Sequence, residues 1–132
     1  MNLDSIMKFK GYSYELQSEI DFWGTTISSI SAVLKEEIDF DTEGTAIIES
    51  IGQKTKMLQV LPLDSIKDVI EKETDKKIRK IKPVNVSFDF TETENEDCSV
   101  DIYFSCGKVF GGFTAHIRIT DNGNSINMVG LS

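Results

Sequence analysis

The chain has 132 residues, 39% apolar and 27% charged, with a net charge of −8 at pH 7. These values suit one globular domain spanning residues 1–132, with enough apolar content for an ordinary core. They also argue against nucleic acid as a partner, because phosphate backbones need a basic surface. No apolar run approaches the ~18 residues of a membrane span. Met1 to Lys10 lacks the apolar stretch and small-residue cleavage site of a secretory signal.

In chain order, Tyr12, Tyr14 and Leu16 alternate with Ser13 and Glu15, and Ile20 and Phe22 follow as a second strand. Trp23-Gly24 reads as a turn, and Thr25 to Leu34 is rich in β-branched and small residues, which predicts an N-terminal strand pair or three-stranded meander. Ile47, Ile48, Ile51, Leu58 and Leu61 then recur at helical spacing, with Thr42 or Thr45 as the expected cap. Gly52 weakens this helix by roughly 1 kcal/mol relative to Ala. Pro62 ends it. A second helix, capped by Asp64 or Ser65, carries Ile66, Val69 and Ile70 on one stripe, with Ile78 and Ile81 as its extension and Pro83 as its stop.

The last third, Val84 to Leu131, predicts a four-stranded antiparallel meander. Val84, Val86, Phe88 and Phe90 alternate with polar residues, as do Val100, Ile102 and Phe104, and then Ala115, Ile117 and Ile119. Period-two alternation means one buried and one wet face. A type I′ turn at Asn122-Gly123 sets Ile119 opposite Ile126 and Ile117 opposite Met128. Pairing Cys106 with Phe113 sets Phe104 against Ala115 and Val100 against Ile119, and on the other face Asp101 against Arg118. A one-residue slip would bury those charges and expose the aliphatic row. The expected fold is α+β: an antiparallel sheet, formed by the N-terminal strands and the C-terminal meander, with two consecutive helices packed on one face.

Several residue groups test for chemistry. Asp39, Asp41, Glu43 and Gly44 begin like a calcium loop, but the twelfth position is Ser50, so an acidic helix start is the better reading and no metal is expected. His116 is the only histidine. On the expected register it faces Tyr103 and lies too far from Cys106 for a nucleophile–base contact. Gly107, Gly111 and Gly112 lack the following helix and Lys-Ser/Thr pair of a phosphate loop and read as a bend. Cys98 and Cys106 flank one strand, roughly 25 Å apart on strand rise, hence free thiols suited to a reducing cytoplasm. No catalytic residue and no cofactor is expected.

Charge is uneven. Glu36, Glu37, Asp39, Asp41 and Glu43 crowd one segment, Glu92, Glu94, Glu96 and Asp97 another, and Lys72, Lys76, Lys77, Arg79, Lys80 and Lys82 a third. Solvated loops and a solvated helix end account for these runs; the sharper reading is an acidic surface for a basic partner. The outward sheet face would carry Asn85, Ser87, Asp89, Asp101, Tyr103, Ser105, Thr114, His116, Arg118, Asn127, Val129 and Leu131.

Tyr103 to Gly130, with Gly107, Val109, Phe110, Gly112, Ile117, Gly123 and Gly130, resembles the C-terminal signature of a group of small uncharacterised bacterial domains. Gly11-Tyr12-x-Tyr14 and Trp23-Gly24 are similar to that group's opening strands. The group's histidine after glycine is Phe113 here, so no role of that histidine carries over. Some such families look like immunity proteins encoded beside bacterial toxins, and the resemblance implies that function.

Taken with the residues, the expectation is a cytoplasmic, non-catalytic protein-binding module. Tyr103, Phe110, Phe113, His116, Arg118, Val129 and Leu131 are its candidate interaction residues, and aromatic side chains its anchors. The alternatives are a small-ligand protein or enzyme using Tyr103, His116, Arg118 and Asp101, and a homodimer joined through the terminal strand.

Overall fold

The structure is a computed structural model and describes residues 6–9, 13–16, 18–34, 40–91 and 98–132. The elements follow as β1 (Ile6–Phe9), β2 (Ser13–Leu16), β3 (Ile20–Phe22), β4 (Thr25–Ile27), β5 (Ile30–Val33), α1 (Phe40–Val60), α2 (Leu63–Thr74), β6 (Lys82–Asp89), β7 (Ser99–Ser105), β8 (Thr114–Thr120) and β9 (Ser125–Leu131). Seven strands form one sheet in the order β1-β2-β5-β6-β7-β8-β9, and β3-β4 forms a separate ribbon. The fold is α+β with a mostly antiparallel sheet. No helix among the described residues is long and apolar enough to cross a membrane.

The C-terminal meander takes the register that its alternation predicts. Val86 pairs with Ile102 and Phe88 with Val100. Ile102 pairs with Ile117, Phe104 with Ala115 and Asp101 with Arg118. Ile119 pairs with Ile126 and Ile117 with Met128. Val86, Phe88, Val100, Ile102, Phe104, Ala115 and Ile117 are fully buried on one face. Burial of this row fixes the register, since each of its side chains larger than alanine contributes about 1.5–3 kcal/mol.

Two bulges correct the simple alternation. The ladder shifts between Pro83 and Asn85, so Pro83 is buried and Val84, expected in the core, is exposed. A second shift, between His116 and Ile117, leaves Val129 as the extra residue and pairs Gly130 with His116 and Leu131 with Ala115. Leu131 therefore belongs to the Ala115 row and not to the outward row assigned from plain alternation.

The N-terminal strands differ from a simple meander. β2 pairs with β1 on one side and β5 on the other, both antiparallel. β1 was not expected. The hairpin β3-β4 is inserted between β2 and β5 and pairs only with itself. β5 runs parallel to β6, with Ile30 opposite Val86 and Ala32 opposite Phe88. A parallel pair needs a long crossover, and the two helices lie within it. The expectation of a strand at Tyr12 lies outside the described residues.

α1 already includes Thr42 and Thr45, so neither is its cap. α2 starts at Leu63 with Pro62 at the cap position and no side-chain cap, displacing Asp64 and Ser65 into the first turn. Pro fits there because its fixed φ suits a helix start and the missing N–H has no helical partner to lose. The helix does not extend to Ile78 and Ile81. Asp75 turns left-handed at φ 54° and ψ 35°, and the Ile78 amide donates to Glu71 Oε2 at 2.8 Å. Both isoleucines are still buried, in an irregular connection. Ile51, Leu58, Ile66 and Ile70 of the helices join the sheet's apolar row in one core.

Candidate functional site

The outward face brings four predicted residues together: Asp101, Tyr103, His116 and Arg118. Strand pairing sets Asp101 beside Arg118 and Tyr103 beside His116. His116 Nε2 lies 2.7 Å from Asp101 Oδ1, and Arg118 Nε donates to the same oxygen at 3.0 Å. A carboxylate only accepts, so Nε2 carries the imidazole proton in this contact. The Tyr103 and His116 rings stack at 4.4 Å with 20° between planes. Arg118 Nη2 also stands 4.0 Å from Asp89 Oδ2, while Asp89 Oδ1 accepts from the Thr91 amide at 2.8 Å.

This face is less wet than alternation implies. Asp101 is buried and His116 half-buried. Ser99, on the row of Asp89, is buried with no hydrogen-bond partner for its Oγ. Gly130 opposite His116 adds no side chain to the row, and the space beside it is open. Buried charges are tolerated when paired and hydrogen-bonded, as Asp101 is. Among the described residues, no hydroxyl or thiol bonds to His116, and no three Asp, Glu, His or Cys side chains converge as a metal site would need. Asp39 and the side chains of Asp41 and Glu43 lie outside the described residues, as do Glu36, Glu37, Glu92, Glu94, Glu96 and Asp97.

Neither cysteine is in a disulfide, and both are buried. Burial raises the Cys106 thiol above its ordinary 9.0, so it stays protonated and unreactive at neutral pH. Its contact is the Phe104 carbonyl at 3.8 Å.

The remaining candidates gather at one end of the sheet. The bend between β7 and β8 uses positive φ at Gly107, Gly111 and Gly112. Phe110 leans on the core, whereas Phe113 is 57% exposed. Reciprocal backbone bonds between Thr114 and Ser132 tie Phe113 to the end of β9, where Val129 is 55% and Leu131 46% exposed.

Sequence reasoning missed two features that join distant segments. A groove of about 560 Å³ runs between β3 and α1, edged by Glu19, Asp21, Glu49, Gln53 and Lys56. A smaller pocket of about 240 Å³ lies where the β3-β4 turn meets α2 and the start of β6. Trp23 forms part of its wall and donates from Nε1 to the Leu61 carbonyl at 2.8 Å. The Trp23-Gly24 turn was legible, but its meeting with residues some 40 and 60 positions on had no local signal.

No protein-family model, curated protein or solved structure matches this chain. The site's chemistry therefore rests on its own residues.

Proposed function

We propose that the chain is a non-catalytic protein-binding module that works by covering a partner's surface. The observation that carries this reading is the apolar end of the sheet, where Phe113 and Leu131, each next to a residue of the Thr114–Ser132 tie, are exposed, and Val129 is exposed two residues before Leu131. Large apolar side chains gathered in one place cost free energy in water and anchor interfaces. The net charge of −8 supports steering toward a basic partner. The closed pairing of Asp101 with His116 and Arg118 supports a scaffolding role for those groups, since their hydrogen bonds are directed at one another. Buried cysteines without a disulfide support a cytoplasmic setting. Neutralising a bacterial toxin by occlusion is the specific form that the sequence resemblance implies.

Affinity capture from the source cells tests this, comparing the native chain with the double variant Phe113→Asp, Leu131→Asp. Both positions are exposed, so the variant should fold. The expected result is a stoichiometric protein partner held by the native chain and lost by the variant, with association slowed by salt. Equal capture by both chains would reject the apolar end as the anchor. Sedimentation of the isolated chain distinguishes self-association through β9, an edge strand of the sheet, from capture of a different protein.

A further inference from the structure

The basic run Lys72 to Lys82 is the part of the sequence that an acidic, basic-partner-seeking protein does not explain. Two of its members, Arg79 and Lys80, line the 240 Å³ pocket, and Lys67 of α2 joins them. Trp23 and Thr25 of the β3-β4 ribbon form the facing wall. Asp64 is the one carboxylate in the lining, so the pocket's charged groups are three cations and one anion.

Among the described residues, no hydrogen bond or ion pair engages Lys67, Arg79 or Lys80. These three cations, without partners among the described residues, repel each other around one concave space, and Asp64 is the one carboxylate in its lining. In a chain whose net charge is −8, such an excess is not a consequence of composition. Trp23 is fixed by its bond to the Leu61 carbonyl and by its contact with Phe104, at 5.9 Å between ring centroids. One wall of the pocket is therefore rigid before anything enters, which lowers the ordering cost of binding.

We propose that this pocket is an anion-binding site that takes a small, doubly charged oxyanion of the phosphate class. Guanidinium and ammonium groups bind such an anion through charge-assisted hydrogen bonds. Thr25 adds a hydroxyl to the lining, and the indole excludes water from one side. The volume is that of a small ligand and well below that of a drug-sized one. The site is independent of the apolar end of the sheet, and its failure would leave the protein-binding reading untouched.

The test uses the full chain and inorganic phosphate, titrated at constant ionic strength against chloride. Trp23 is the only tryptophan, so its fluorescence reports on the pocket directly, with calorimetry as the second readout. The expected result is a saturable change. The exposed pair Arg79→Gln, Lys80→Gln should weaken phosphate binding by roughly tenfold. The pair Lys76→Gln, Lys77→Gln removes the same charge nearby but outside the lining, and should change affinity by less than about twofold. Absence of saturation below about 20 mM phosphate, a dissociation free energy of only ~2.3 kcal/mol, would overturn the site. So would equal losses in the two double variants, because that result means diffuse charge attraction without a pocket.

Discussion

The turn at Trp23-Gly24 and the turn at Asn122-Gly123 both place consecutive residues in the left-handed region, the first bonding just past the end of α1 and the second to α1 itself. Trp23 donates to the Leu61 carbonyl just past the helix end. Asn122 accepts from the buried Lys54 ammonium at 2.7 Å, near the helix middle. Their chemistry differs. The first turn puts a bulky indole at φ 54°, a conformation that costs such a residue about 1–2 kcal/mol, and offsets the strain by packing the ring on Phe22 and Phe104. The second uses Asn and Gly, which accept positive φ readily, and gains from the bare glycine backbone lying under Met57. One turn is held by what its side chain adds, the other by what its glycine leaves out.

Trp23→Ala should have the largest effect. It removes the aromatic packing and the bond to Leu61 together, and is expected to destabilise by about 3 kcal/mol in urea unfolding. A loss under about 1 kcal/mol would mean that the indole's contacts contribute little, since alanine carries the same left-handed backbone cost. Next, Gly123→Ala should cost roughly 2 kcal/mol, because positive φ and contact with Met57 Sδ at 3.0 Å both oppose a methyl group. Gly24→Ala meets nothing within 4 Å and should cost only about 1 kcal/mol, from backbone conformation alone. Equal costs at the two glycines would remove packing from the comparison. Asn122→Ala should have the smallest specific effect, about 1 kcal/mol beyond its backbone term, from the lost bond to Lys54. A double-mutant cycle with Lys54→Met isolates it, and a coupling near zero would show that the lysine is held by its other contacts.

The same contrast explains what was legible in the sequence. Strand register in the meander was written three times over, in the alternation of Val86, Phe88, Val100, Ile102, Ile117 and Ile119, in Asn122-Gly123 and in the opposition of Asp101 to Arg118. Val84 and Leu131 misled because a bulge adds one residue and reverses the faces beyond it, and nothing in a local pattern announces it. Ile78 and Ile81 continue the spacing of Ile66 and Ile70, so only the left-handed Asp75 separates a helix from an irregular buried strand of chain. The parallel β5-β6 pair joins segments on either side of both helices, and four residues of β5 carry no sign of such a partner.

For the site, the pairing of His116 with Tyr103 followed from register. The burial of Asp101 and its sharing by two donors did not, because depth depends on what surrounds the face. The pocket beside Trp23 was out of reach for a different reason. Its walls come from three separated segments, each of which alone reads as an ordinary turn, helix start or charged loop.

The parallel β5-β6 pair also sets an order of assembly. Strands β6 to β9 are joined each to the next in sequence, so their contacts close short loops. β5 can meet β6 only after the chain through both helices has been gathered in, and β1 and β2 are attached to the sheet through β5 alone. Loop-closure entropy makes such a distant encounter slow. The expected order in refolding is therefore the carboxy-terminal half first and the amino-terminal strands last, which makes the seam at Ile30–Val33 the place where a partly assembled molecule would come open.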